Sequence, residues 1–129
     1  MSLIRNREHA QQIVDFGGLR YGAIYPTDID AFLDFGDRLF IFVEAKFGGR
    51  GMSQGQSWAI ARLVDACHKP PDRYAIALVC SHDECGDVDL SKATVTRMRW
   101  NGKWLSPKEQ SATVRFAIDA MRTKVLKTA

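Results

Sequence analysis

The fold of this chain is decided by residues 28–47, whose sequence is DIDAFLDFGDRLFIFVEAKF. Apolar and polar side chains alternate on both sides of the turn-forming residues 36–38, and such alternation is typical of a strand with two unlike faces. The pattern therefore predicts two antiparallel strands, 28–35 and 39–47, joined as a hairpin. One face of the first strand is predicted to carry Ile29, Ala31, Leu33 and Phe35.

Pairing across this hairpin brings acidic side chains together. If residues 36–38 form the turn, Asp30 lies directly opposite Glu44, and Asp28 lies opposite Lys46. Opposed side chains have Cβ atoms about 4.5–5.5 Å apart, which allows two carboxylates to bind one hard cation. Mg²⁺ prefers such oxygen ligands, and Mn²⁺ is the expected substitute. The register thus predicts a magnesium site on the hairpin.

The residues around this pair decide whether it is a functional site or a chance arrangement. An acid two residues before a lysine is expected by chance in a chain of this composition, so the spacing alone is a weak motif. A solvated hairpin face with an incidental ion pair is the alternative interpretation. Phe32, Phe40 and Phe42 share the face, however, and acids beside an apolar surface are costly unless a metal or a partner compensates them.

The segments around the hairpin predict helices and strands in alternation. Residues Asn6 to about Phe16 have apolar positions at helical spacing, and Leu19 to Tyr25 is predicted as a first strand. Ser53 to His68 is predicted as a helix that turns the polar Gln56 inward. The other members of its inner stripe are predicted to be Ile60, Leu63, Val64 and Cys67. The apolar run Tyr74 to Cys80 predicts a strand buried on both faces.

The C-terminal part predicts a second hairpin and a last helix. Asn101-Gly102 is the strongest two-residue hairpin signal in the chain. Ser106, followed by a proline, forms a capping box with Glu109, and this box predicts a helix through Phe116 towards Leu126. The order of elements predicts a mixed α/β domain in which helices flank a central sheet.

Composition sets the class of protein. The chain has 129 residues, 46% hydrophobic and 26% charged, which indicates one soluble globular domain spanning 1–129 and excludes a disordered tail or a collagen-like fibre. No apolar run approaches the ~20 residues of a bilayer-spanning helix and no signal-peptide pattern is present, so a cytoplasmic protein without membrane contact is expected. The three cysteines are expected to be free thiols. The formal charge of +3 is compatible with a nucleic-acid partner without establishing one.

Residues 6–80 resemble the PD-(D/E)XK nuclease superfamily, because Asp30 and the sequence Glu44-Ala45-Lys46 match the acid and the Glu-x-Lys strand of its motif. The resemblance implies a restriction-endonuclease-like core made of a helix, a three-stranded meander, a helix and a further strand. It also implies that Asp30, Glu44 and the Ala45 carbonyl bind Mg²⁺. Lys46 would orient or activate the attacking water.

Weaker correspondences extend the implied site. Glu8 lies in the predicted first helix, where relatives carry an acid, and Gln56 lies in the helix after the lysine strand, where relatives carry a glutamine. The family's strand acid commonly follows a proline directly. In this chain Pro26 lies two residues before Asp28, so Asp28 stays an alternative to Asp30 as the metal ligand.

The function implied by the resemblance is that of a Mg²⁺-dependent endonuclease that hydrolyses nucleic-acid phosphodiester bonds, with DNA as the expected substrate. Candidate contacts to nucleic acid are Arg50, in the glycine-rich loop after the lysine strand, and Arg97 and Arg99, beside tryptophans. A module of the same fold that binds nucleic acid or protein without cutting is the alternative function. The sequence leaves open whether the target is DNA or RNA, duplex, single-stranded or branched, and whether the chain forms a homodimer.

Overall fold

The structure, a computed structural model, describes Asp15 and residues 17–48, 50–108 and 112–126. Of the helix predicted from Asn6 to about Phe16, only Asp15 lies within the described residues. Glu8 and Glu109 lie outside them, so the expectations for these two acids stay predictions.

A five-stranded mixed sheet forms the centre of the described part of the chain, with the strands in sequence order. Strands β2 and β3 are parallel, and the other neighbours are antiparallel. This confirms the predicted α/β class with an antiparallel hairpin. The strands are β1 (Ala31–Phe35), β2 (Leu39–Phe47), β3 (Tyr74–His82), β4 (Thr94–Trp100) and β5 (Lys103–Leu105).

In the described part of the chain, two α-helices cover the sheet, one on each face. Helix α1 (Gln54–Cys67) connects the parallel strands β2 and β3, and helix α2 (Val114–Met121) continues into a π-helix at Arg122–Leu126. Single 3-10 turns occur at Gly17–Leu19 and Leu90–Lys92. Within the described residues, no helix has the length and apolar character needed to cross a membrane.

The sheet separates two hydrophobic clusters because side chains alternate between its faces. On the face covered by α1, Phe42 and Ala77 pack against Ile60 and Val64 of the helix. On the face covered by α2, the larger cluster includes Leu39, Ile41, Val43, Ile76, Leu78, Val95 and Val114. Glu44 and Lys46 alternate in phase with Phe42 and therefore belong to the α1 face.

The hairpin register agrees with the prediction. Phe35 pairs with Leu39 and Ala31 pairs with Val43, as predicted, and the paired ladder ends there, one residue short of Asp30. The turn is made possible by left-handed backbone at residues 36 and 37, with φ of 63° and 65°. The second predicted hairpin is also confirmed, since Asn101-Gly102 joins β4 and β5 with positive φ at both residues.

The strand predicted from Leu19 to Tyr25 is wrong. In its place, Tyr21 and Ile24 pair with each other across a two-residue turn, in which Gly22 has a φ of 62°. Tyr21 and Ile24 are 69% and 70% exposed. Apolar content alone suggested a strand, but the segment folds back on itself and has no described strand beside it.

Strand β1 is shorter than predicted, and its alternation breaks at Asp30. The chain bends at this residue, and Ile29 packs against the α1-face cluster, whereas Ala31 packs on the α2 face. The expectation that both residues share one face is therefore wrong. At this bend the Asp30 side chain, in place of a backbone carbonyl, accepts the hydrogen bond from the Ala45 N–H of β2.

Helix α1 agrees with its predicted boundaries, with Ser53 as the N-cap and His68 as the C-cap. Its inner stripe differs at one position, since Leu63 is 39% exposed. Ile60 and Val64 make the buried contact instead, because the small side chains of β3 beneath them let this stripe approach the sheet.

The last helix begins later than predicted. Ser106 does not cap it, and Thr113 does so by accepting a hydrogen bond from the Phe116 N–H at 3.1 Å. The chain before Val114 is held extended, since Thr113 pairs with Thr94 at the start of β4. Pairing with the sheet thus overrides the local capping signal.

Candidate active site

Asp30 comes directly before β1 and binds β2 through both its backbone and its side chain. Its N–H donates to the Val43 carbonyl at 3.1 Å, and its Oδ2 accepts a hydrogen bond from the Ala45 N–H at 2.7 Å. The carboxylate therefore stands where the next backbone carbonyl of β1 would stand. This bond holds Asp30 at the edge of β2, beside the Glu44 side chain.

Glu44 is the one buried charged residue among the described residues, with 6% of its surface exposed. The pKa of Glu44 is raised to about 8, chiefly by burial, and the hydrogen bond to the Asp30 carboxylate and its negative charge contribute to the same rise. Lys46 opposes this shift by favouring the ionised form. The two carboxyl groups are thus in contact, and at neutral pH without a cation Glu44 keeps its proton.

Gln56 approaches the same carboxyl group from the first turn of α1. Ser53 caps this turn by accepting a hydrogen bond from the Gln56 N–H at 3.1 Å. The Gln56 Nε2 donates to Glu44 Oε2 at 2.6 Å and contacts the Asp28 carbonyl at 3.5 Å. The predicted inward orientation of Gln56 is therefore observed, and it fixes one oxygen of Glu44.

The remaining predicted site residues occupy different positions around the pair. Lys46 is half-buried on the α1 face, and no ion pair between described residues includes it. Asp28 is exposed and contributes its charge to the raised pKa of Glu44 without contacting that carboxyl group. The Ala45 N–H points towards β1, so its carbonyl points to the same edge of the sheet.

The donor set of this site suits a hard divalent cation. One carboxylate oxygen of Asp30 and one of Glu44 accept a hydrogen bond from a protein N–H. The second oxygen of each carboxylate takes no part in these two bonds and is the candidate metal ligand. A cation between the carboxyls would offset the repulsion that raises the pKa of Glu44. In the described part of the chain, no cluster of three or more His, Cys, Asp or Glu side chains is arranged to hold a metal. The backbone carbonyl and water would have to complete the coordination.

The predicted nucleic-acid contacts do not gather around the carboxyl pair. Arg50 is exposed in the loop after β2. Arg99 binds Asp65 of α1 through two hydrogen bonds, at 3.0 and 2.5 Å, and so links the helix to β4. Arg97 lies 4.5 Å from the Trp104 ring centre. Because Glu44 pairs with Val79 and Val79 pairs with Arg97, this arginine is two strands away, about 10 Å across the sheet.

A cleft beside the carboxyl pair was not predicted. It has a volume of about 420 Å³ and lies between residues 23–28 and the first half of α1. Trp58 and Arg62 line it, together with Tyr25. The spacing of Trp58 and Arg62, four residues apart on one helix, was the available signal, because such residues share a helix face.

Comparison of the chain with protein-family models, with curated proteins and with solved structures finds no match.

Proposed function

We propose that this protein is a Mg²⁺-dependent nuclease with a restriction-endonuclease-like core that hydrolyses nucleic-acid phosphodiester bonds, DNA being the expected substrate. The observation that carries the proposal is the contact between the Asp30 and Glu44 carboxyl groups, with Lys46 on the same face of the sheet as Glu44. Two acids are kept together at an energetic cost, and a divalent cation is the simplest partner that removes this cost.

The arrangement of elements around the pair supports the finer fold. A hairpin leads into the Glu44-Ala45-Lys46 strand, and α1 then crosses to β3, which is parallel to β2. This sequence of elements agrees with the second half of the proposed core. Of the three-stranded meander of that core, the described residues form two strands, and residues 21–24 form a turn.

Each residue of the site has a part in the proposed hydrolysis. A Mg²⁺ ion held by Asp30 and Glu44 would stabilise phosphate charge and lower the pKa of an attacking water. Gln56 fixes the orientation of the Glu44 carboxylate through its Nε2 hydrogen bond. Lys46 places a positive charge beside the pair, where it would offset the negative charge that develops on the phosphate.

The proposal predicts metal-dependent cleavage. Purified protein should cut at least one of linear duplex DNA, single-stranded DNA, branched DNA and RNA in the presence of Mg²⁺ or Mn²⁺, and EDTA should stop the reaction. Glu44→Gln and Lys46→Met should each reduce the rate by at least about 100-fold, because both remove charge from the reacting centre. A gel assay of labelled substrates measures the rates.

Matched substitutions elsewhere separate the site from a general charge effect. Glu84→Gln and Lys103→Met change exposed residues away from the carboxyl pair and should leave the rate unchanged. Cleavage that persists in both Glu44→Gln and Lys46→Met would contradict the proposal. Metal-independent binding without cleavage of any substrate would favour the alternative, a binding module of the same fold.

A further inference from the structure

We propose that the cleft between residues 23–28 and α1 binds an unpaired stretch of the nucleic-acid substrate, with a base stacked on Trp58. This inference rests on the proposed nuclease function and specifies its substrate class as nucleic acid with a single-stranded region.

The Gln56 side chain links the cleft to the carboxyl pair. Asp28 and Gln56 line its wall, and the Gln56 side chain reaches from the cleft to Glu44 Oε2 at 2.6 Å. A polynucleotide whose phosphate lies at Asp30 and Glu44 would therefore place its neighbouring nucleotide in the cleft. The volume of about 420 Å³ is large enough for a nucleotide-sized group.

Exposed aromatic surface distinguishes this cleft from ordinary surface. Trp58 is 53% exposed although it lies on α1, whose opposite side is packed in the core. Tyr25, on the facing wall, is 57% exposed. Large aromatic side chains left in water next to a concave surface are typical of ligand sites, and bases stack on them irrespective of sequence.

Among the residues that line the cleft, Arg62 is the cation that would bind a phosphate, and Asp28 is the acid. The Arg62 guanidinium carbon lies 6.0 Å from the centre of the Trp58 ring, and no ion pair within the described ranges involves it. The Arg20 guanidinium carbon lies 4.6 Å from the Tyr25 ring centre. Trp58 and Tyr25 thus each have an arginine beside the ring, a combination that binds bases and phosphates together.

Stacking on Trp58 selects for unpaired nucleotides. In a duplex the faces of the bases are covered by their neighbours, so a side chain reaches only their edges in the grooves. The Trp58 ring offers a flat apolar surface, and its single N–H donor is poorly suited to reading base edges. The cleft therefore suits a single strand, an overhang or an unpaired branch.

Binding measured in EDTA tests the inference without cleavage. Fluorescence anisotropy of labelled oligo-dT should show that Trp58→Ala weakens single-strand binding by about 5- to 150-fold. Trp58→Phe, which keeps an aromatic ring, should lose much less. Arg62→Gln should reduce the slope of log K against log salt by roughly 0.7.

Two further measurements guard against a folding defect in the variants. Oligo-dT should quench the tryptophan fluorescence of the wild-type protein, and this quenching should be lost in Trp58→Phe, which leaves Trp100 and Trp104 in place. Phe116→Ala removes an aromatic residue that is 57% exposed on α2 and should leave single-strand binding unchanged. Circular dichroism spectra should match across the set.

The outcomes separate this inference from the nuclease proposal. Unchanged oligo-dT affinity in Trp58→Ala, or an equal loss of affinity for oligo-dT and for blunt duplex, would overturn the cleft assignment while leaving the cleavage results standing. Conversely, a wild-type protein that binds oligo-dT through Trp58 but cuts no substrate with Mg²⁺ or Mn²⁺ would support the cleft and refute the nuclease.

Discussion

At the scale of single residues, Glu44 is where folding and proposed function conflict. A buried acid next to another acid destabilises the fold when both are ionised, and the raised pKa of Glu44 is the direct expression of this cost. Gln56 and the Ala45 N–H each satisfy one oxygen of the pair. The site is therefore held in place by hydrogen bonds, while Lys46 offsets only part of its negative charge.

The pKa of Glu44 predicts how the metal-free protein responds to pH. Between the ordinary pKa of 4.5 and about 8, the unfolded chain has lost the Glu44 proton whereas the folded chain keeps it. The free energy of unfolding should therefore fall as pH rises through this window, by at most about 1.4 kcal/mol per pH unit, and the contribution is fully present below the window. Urea denaturation in EDTA across the window measures the slope.

Glu44→Gln is the matched control, because glutamine is similar in size and does not titrate. Subtracting its pH profile from that of the wild-type protein isolates the contribution of Glu44. Superimposable profiles for the two proteins would show that the carboxyl group does not carry the raised pKa.

At the scale of the element, α1 performs structural and chemical tasks with different faces. Ile60 and Val64 pack on the sheet, Gln56 reaches the carboxyl pair, and Trp58 faces the cleft. The Arg99–Asp65 ion pair ties the same helix to β4. The position of α1 on the sheet therefore sets the geometry of the site.

Packing of α1 can be tested at two aliphatic residues, Ile60 and Leu63, that the sequence pattern predicts on the same inner stripe of the helix. Ile60→Ala should cost about 2–5 kcal/mol of unfolding free energy, because Ile60 is only 2% exposed and its removal leaves a cavity. Leu63→Ala should cost about 1 kcal/mol or less, because Leu63 is 39% exposed. Equal losses in chemical denaturation would contradict the observed orientation of the helix.

Periodicity predicted most elements, and tertiary contacts explain where it failed. The alternation in residues 28–47 fixed the hairpin register and hence the neighbourhood of Asp30 and Glu44, since a slip by one residue would exchange the faces. The bend at Asp30 was not predictable, because it depends on a side chain bonding to β2. Likewise, pairing of Thr113 with β4 outweighs the capping signal at Ser106.

At the scale of the whole molecule, the main hydrophobic core and the proposed active site lie on opposite faces of the sheet. The larger hydrophobic cluster lies on the α2 face, whereas Glu44, Lys46 and the cleft belong to the α1 side. The α2 face contains the apolar residues that support β2 from behind. A ligand at the carboxyl pair would therefore stabilise a strand at the centre of the fold.

Cation binding should be visible as a change in global stability. At roughly 100 times its Kd, Mg²⁺ should raise the Tm by about 5–10 °C, since a ligand of the folded state shifts the unfolding equilibrium. Differential scanning fluorimetry with NaCl at matched ionic strength measures the specific part of this shift. Asp30→Asn should abolish it, and an equal shift in that variant would place the cation elsewhere.

The geometry of the carboxyl pair depends on the length of the distant turn at residues 36–38. Every residue between this turn and Asp30 counts, because the opposed positions on the two arms are measured from the turn. Adding or removing one residue there would shift every pair of the hairpin by one position, and Asp30 would move away from Glu44 with the first strand. The most fragile point of the proposed chemistry is thus a surface loop at the far end of the hairpin, which touches none of the reacting groups.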